Sequence, residues 1–205
     1  MGSSINLAPP SLRDRRRAET TKEIIAAAMA LFASKGFEAA TAEEIAQRAG
    51  VSRATFFNYF PQKELILAEF ARARMERVHA LLDAHGALTL DALLELFVSF
   101  ADENERLTHQ GRSLLPATLV RPACQEVLQP LFASLQKSLA AGLERGGEVR
   151  AGVDTRIFAE TFFGVYMATT LQWAVHPDPP KGWHKRAMHE RLGQLIQLAR
   201  KGDAA

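Results

Sequence analysis

Between Thr41 and Phe60 the chain carries start and stop signals for two short helices with hardly any loop between them. Thr41-Ala42-Glu43-Glu44 fits a capping box, in which the threonine hydroxyl takes the Glu44 amide and the Glu44 carboxylate returns to the cap. Ile45 and Ala49 give that helix an inward face, Ala46 is small, and Gly50 ends it, because glycine suits the left-handed C′ position that turns a chain sharply. Val51 then fills the elbow and Ser52 caps a second helix running to Phe60. Phe56 and Phe60 lie four apart on one face; a rotation of about 100° per residue sets Ala54 and Asn58 opposite, with Thr55 and Phe57 flanking them. A short helix exposing Arg53, Thr55, Asn58 and Tyr59 beside a buried aromatic pair suits insertion into a major groove. The expectation is a helix-turn-helix. Two ordinary core helices would also satisfy the aromatic spacing, but would not explain why Arg53, Thr55 and Asn58 share the exposed side.

The rest of the chain reads as helix too. Ile24, Ala28, Leu31 and Phe32 follow the spacing of one buried face, and Met188, Leu192, Leu195 and Ile196 repeat it. Leu88, Ala92, Leu96 and Phe100 form an i+4 stripe, as do Phe158, Phe162 and Tyr166. Strand alternation and Asn-Gly or Asp-Gly hairpin turns are missing. Pro61, Pro116, Pro122, Pro130 and the Pro177 to Pro180 cluster mark where helices should stop or turn. A long helix from about Lys63 to Ala84 should join a small N-terminal module to a larger helical body, and Arg145 to Val153 should be a loop closed by Asp154 as an N-cap. The expected fold is all-α, with roughly nine helices.

Length and composition fit that plan. A chain of 205 residues buries a core without disulfides or metals, and 47% hydrophobic with 23% charged residues excludes a largely disordered one. The single cysteine, Cys124, excludes a disulfide framework and multi-thiolate zinc sites, and points to a reducing cytoplasm. Met1 to Leu12 lack the apolar region of a signal peptide, and the longest apolar run, Ile24 to Ala33, is too short to span a bilayer. The net charge of +2 is unevenly placed: residues 1–77 carry 12 Lys and Arg against 9 Asp and Glu, residues 78–205 carry 13 against 14. Arg13, Arg15, Arg16 and Arg17 account for most of the excess, and read equally as an arm for DNA phosphates or the minor groove and as a solvated tail.

The run from Gly50 to Ile66, GVSRATFFNYFPQKELI, with KEIIAAAMALFASKGFEAATAEEIAQRA before it, closely resembles the DNA-binding domain of the TetR family of bacterial transcriptional regulators. The matching motifs are the Phe32 to Phe37 turn, T-x-x-x-I-A, G-V-S, T-x-[YF]-x-[YH]-F and a lysine opening the fourth helix, over about residues 18–68. The resemblance implies that Ser52, Arg53, Ala54, Thr55, Asn58 and Tyr59 face base edges or nearby phosphates, while Thr41, Phe57 and Lys63 hold phosphates. Chemistry agrees that asparagine can read adenine and arginine guanine in the major groove, and that Lys63 at a helix start suits an anion. Phe57 departs from the family's usual tyrosine and lacks its hydroxyl, leaving Tyr59 to take that contact or Phe57 to touch a thymine methyl; Gln62 is a poor helix cap. The implied layout is a basic arm over 1–17, a DNA-binding domain over 18–62, and a regulatory and dimerisation domain over 63–205.

For that body the resemblance implies a homodimer built on its last two helices, an inverted-repeat operator in double-stranded DNA, and an unidentified small apolar or amphipathic ligand. Asp154 to His176 is apolar nearly all round, as a helix buried on every side must be, and Gly164 and Ala168 form a small-x-x-x-small step. Ile157, Gly164, Ala168, Met188, Leu192, Leu195 and Ile196 are the expected interface, against the alternative that both helices complete the monomer core. Phe97, Phe100, His109, Leu115, Phe132, Met167 and Trp173 are candidate pocket residues, against the alternative, favoured for each taken singly, that it is plain core. His109, four after Glu105, would share a helix face with it as a polar pocket group or weak metal pair; Cys124 could sense oxidants or lie inert in the core. No cofactor or metal is expected. Nor is catalysis: Ser113 sits outside any G-x-S-x-G, no phosphate loop or H-E-x-x-H occurs, and His184 and His189 are five apart where a helical zinc pair needs four. The competing reading is a helical partner- or ligand-binding module with DNA contact secondary.

Overall fold

A computed structural model describes residues 11–201, and among them all side chains except those of residues 74, 83–85 and 110. These residues form nine helices and one isolated bridge, between Val149 and Arg200. The chain divides into two compact units, Met1–Ile66 and Leu67–Ala205, with the division falling inside a helix.

The first unit holds α1 (Leu12–Lys35), α2 (Ala42–Arg48) and α3 (Arg53–Tyr59). Its core gathers Ile24, Ala28 and Phe32 of α1 with Phe37, Ala40, Ile45, Ala46, Phe56 and Phe60. The four clustered arginines belong to α1: Ser11 opens the helix with a capping box to Asp14, ahead of the expected boundary at residue 18. Residues 1–10 of the expected arm lie outside the described residues.

The helix expected near Lys63 is α4 (Glu64–His85), and the second unit continues with α5 (Leu90–Asn104), α6 (His109–Val120), α7 (Pro122–Gly146), α8 (Thr155–Val175) and α9 (Trp183–Ala199). α8 packs on α6, α7 and α9, and α5 packs on α9. Phe97 sits at the centre, edge-on to Phe162 at 5.2 Å and to Tyr166 at 4.9 Å. The buried stripe of α5 is Leu90, Leu93, Phe97 and Ala101, one step round from the expected Leu88, Ala92, Leu96 and Phe100. Pro116 and Pro130 lie inside α6 and α7 rather than ending them. Pro130 faces solvent, where the carbonyl it leaves unbonded meets water. Gly146 is required where α7 meets the α4–α5 turn, since a Cβ there would stand 2.2 Å from the Leu88 carbonyl oxygen. Among the described residues no helix is long and apolar enough to cross a membrane, and no three metal-type ligands gather.

Candidate nucleic-acid interface

Local hydrogen bonds set the position of α3. At the start of α2 the Thr41 hydroxyl accepts from the Glu44 amide at 3.2 Å, and the Glu44 carboxylate accepts from the Thr41 amide at 2.9 Å. Lys35 reaches the same carboxylate and, with the Thr41 amide and the Thr41 hydroxyl that also donate to it, holds its pKa down at about 2. At the other end, Gly50 at φ +69° lets its amide reach the Gln47 carbonyl and lets the Val51 amide reach that of Ala46. These two bonds form a Schellman motif that closes α2 and swings the chain into α3. Ser52 caps α3 by accepting from the Thr55 amide at 3.0 Å.

α3 buries Phe56 and Phe60 and exposes Arg53, Ala54, Phe57 and Asn58, with Thr55 and Tyr59 half-buried beside them. Of the expected base-reading residues, Arg53, Ala54 and Asn58 are thus exposed, while Thr55 and Tyr59 lie at the margin of the buried stripe. Arg53 is braced by an ion pair with Glu43 at 2.9 Å, and its guanidinium lies 5.6 Å from the centre of the Phe57 ring. Phe57 is 38% exposed and packs edge-on against Phe56, so its ring is held upright and available for apolar contact. Tyr59 carries the guanidinium of Arg17 over its ring at 5.1 Å. Neither the Glu43 pairing nor the Arg17 stacking is readable in the sequence, because both are set by how the helices dock rather than by spacing along the chain.

Lys63 is placed differently from the expectation. Its ammonium donates to the carbonyls of Phe37 at 3.0 Å, Glu38 at 3.3 Å and Ala40 at 3.2 Å, and sits 4.5 Å from the centre of the Phe37 ring. An ammonium has three donors. All three are committed to the α1–α2 turn, which leaves none for a phosphate unless that turn gives way.

In the second unit the seven expected pocket residues do not surround one cavity. Phe132 borders a space of about 180 Å³ between α6 and α7, with Thr118, Leu119 and Leu128. His109 and Trp173 border another of about 200 Å³, with Glu105, Arg112 and Asp178. Phe97 is fully enclosed in the core, Phe100 and Met167 pack against it, and Leu115 is half-buried away from both spaces. Glu105 and His109 share the second cavity but not a helix face, because α5 ends before Glu105 and α6 begins at His109. Cys124 is wholly buried. Sequence reasoning passed over Arg112: buried, it donates to the carbonyls of Trp173, His176 and Pro177 at 3.3–3.5 Å and lies 5.4 Å over the Trp173 ring. A cation there satisfies the open carbonyls and the negative dipole end of α8. Trp173 also stacks on His184 at 4.6 Å.

The expected dimer residues split into two groups. Met188, Leu192 and Ile196 are sunk in the core of their own chain and have no surface to offer a partner, and Leu195 is half-buried. Ile157, Gly164 and Ala168 are exposed on α8, together with Val175, which was not anticipated. At about 100° per residue these four fall within about 20° of one line along α8. Ile157 is 54% exposed and Val175 64%.

Comparison with known proteins bears on both units. Residues 24–70 match the family model described as bacterial regulatory proteins, tetR family. The fatty acid metabolism regulator protein of Bacillus subtilis is 27% identical over 164 residues, covering 75% of this chain and 83% of its own. Among solved structures, FadR of Thermus thermophilus, a TetR-family transcriptional repressor in complex with lauroyl-CoA, is 29% identical with a TM-score of 0.60, covering 90% of this chain and 98% of that one. SmeT of Stenotrophomonas maltophilia in complex with triclosan is 20% identical with a TM-score of 0.72, covering 89% and 92%, a likeness of fold.

Proposed function

This chain belongs to the tetR family of bacterial regulatory proteins and is a DNA-binding transcriptional regulator, not an enzyme; from that premise we propose that it is a ligand-released repressor. In this reading a cytoplasmic homodimer sets its two α3 helices into successive major grooves of an inverted repeat, with half-sites about 34–36 Å apart. Residues 18–62 read DNA, and the body over 63–205 dimerises and receives a small apolar or amphipathic ligand.

The observation that carries the reading is the exposed face of α3, where Arg53, Ala54, Phe57 and Asn58 stand on a floor of buried Phe56 and Phe60. Asn58 reads adenine and Arg53, oriented by Glu43, reads guanine, each through a bidentate pair of hydrogen bonds. Phe57 lies against a thymine methyl, and Thr41, Ser52, Thr55 and Tyr59 contact the backbone. The α8 line of Ile157, Gly164, Ala168 and Val175 supports a partner helix packed closely across the small residues. The lauroyl-CoA bound by the Thermus repressor supports an acyl-bearing, amphipathic ligand class. Such a ligand weakens DNA binding only as far as it prefers the conformation that fits DNA less well.

The test is to enrich a duplex from a random-sequence library with the full-length protein, then titrate it with and without lauroyl-CoA. A palindromic product whose affinity falls as lauroyl-CoA is added is the expected result. No preference for the enriched duplex over a scrambled one, at any salt concentration, would refute the reading.

A further inference from the structure

The arginine cluster lies on a helical overhang, and the geometry of α1 separates its members. From Ser11 to Glu19 every residue is exposed, Thr20 is half-buried, and burial begins in earnest at Ile24. The first turns of α1 therefore run on past the packed part of the unit, held helical by the Ser11–Asp14 capping box. At about 100° per residue, Arg13 and Arg17 lie within about 20° of the row that carries Ile24. Ile24 marks the side of α1 that packs into the core with α2. Arg13 and Arg17 thus prolong the inward side beyond the point where there is a core to bury it. Arg15 falls on the opposite side and Arg16 to the flank.

Arg17 shows where the overhang leads, because its guanidinium lies over the ring of Tyr59, the last residue of α3. A guanidinium stacked on a ring keeps its N–H donors in its own plane, free to grip an oxyanion at the edge. Arg13, one turn further out and about 6 Å along the axis, continues the same line. The only acid in the Leu12–Ala18 stretch is Asp14, whose carboxylate is occupied by the Ser11 amide and hydroxyl. The surface is thus a short track of arginine running away from the end of the reading helix.

We propose that Arg13 and Arg17 grip the DNA sugar-phosphate backbone beside the base pairs that α3 reads, and that Arg15 takes no part. The proposal rests on the reading of α3 as the DNA-contacting helix. Its partner is the phosphodiester chain, which carries no sequence information, so the grip adds affinity and register but not base preference. Because the helix is already formed, little chain freedom is lost on binding, unlike the ordering of a tail.

The experiment measures the affinity of the full-length protein against salt concentration, on the duplex it enriches from a random-sequence library and on a scrambled duplex. Arg13→Ala and Arg17→Ala should each flatten the slope of log K against log salt by about 0.9 for every phosphate the variant no longer neutralises. The flattening should appear on both duplexes, while Arg15→Ala keeps the wild-type slope and Arg17→Lys, which retains the charge, restores it. Equal slopes for wild type, R13A, R15A and R17A overturn the proposal, as does an equal flattening by all three alanines, which would mean diffuse charge. So does an affinity loss in R17A without a change of slope, since Arg17 would then be acting only by supporting Tyr59. If the wild type fails to distinguish the two duplexes, the reading of α3 falls instead, and the slopes still decide on the arginines.

Discussion

Lys63 and Asn58 are both polar residues of the first unit, and the structure places them in opposite surroundings. Asn58 is exposed on α3, on the side away from the buried Phe56 and Phe60. Asn58→Ala should leave the fold intact, weaken binding to the enriched duplex by about 1–3 kcal/mol and relax preference at one base position, as read by competition with singly substituted duplexes. Lys63 instead ties the carbonyls of Phe37, Glu38 and Ala40. Lys63→Met should destabilise the N-terminal unit by about 1.5–3 kcal/mol, the range for hydrogen bonds to a charged group, and leave the salt slope of DNA binding unchanged. A slope reduced by about 1 would restore a phosphate-binding role to this lysine. Glu44 adds a pH dependence with a definite sign. Its carboxyl titrates near 2 in the folded chain, against about 4.5 for the free side chain. The carboxylate's contribution is therefore complete above about pH 4.5 and is lost as the pH falls towards 2, because the unfolded chain takes up the proton first. Glu44→Gln should flatten that acid limb in a pH series of thermal melts of the N-terminal unit.

At the scale of the element, α8 presents a line of apolar side chains that ends in large residues and is small in the middle. Gly164 has nothing within 4 Å of where a Cβ would sit within its own chain, so any reason for its small size lies outside the monomer. Ala168→Arg should accordingly leave the helical content near the wild-type value while converting the proposed dimer to monomer in sedimentation; an unchanged dimer would move the proposed interface off this line. The elements themselves differ in how far the sequence reveals them. α2, its turn and α3 are legible because a capping box, a left-handed glycine and an i+4 aromatic pair are all local signals. The start of α1 carries the same kind of signal, Ser11 to Asp14, but the four arginines beside it read equally as an arm or a solvated tail. The sequence locates α5 but sets its stripe one step off, since Leu93, Leu94, Leu96, Phe97 and Val98 satisfy more than one apolar face. Only the docking of α9 and α8 chooses among them. The same reason applies to Met188, Leu192 and Ile196 of α9: periodicity shows that they are buried, not against which chain, and here they are buried in their own.

For the whole molecule, the proposed response to ligand requires the body to change shape. Two cavities among its described residues measure about 180 and 200 Å³, whereas ligand pockets usually run from about 300 to 1,000 Å³. A ligand of the proposed acyl-bearing class would therefore have to select a more open arrangement of the helices around α6, spending part of its binding energy on that opening. Any such opening at α6 would strain the clamp between Arg112 and the end of α8, which joins α6 to the carbonyls of Trp173, His176 and Pro177. The chain has two tryptophans, and one of them, Trp173, is enclosed between side chains of α6 and α9. In a Trp183→Phe variant the remaining indole becomes an unlabelled optical gauge of the α6–α8 joint. Adding lauroyl-CoA should move its emission towards the red as water reaches the ring, on the same concentration scale as the loss of DNA binding. A spectrum that stays fixed while DNA is released would place the moving part elsewhere in the body. Read in stopped flow, the same colour change would time the switch, telling whether the joint loosens before the ligand enters or after.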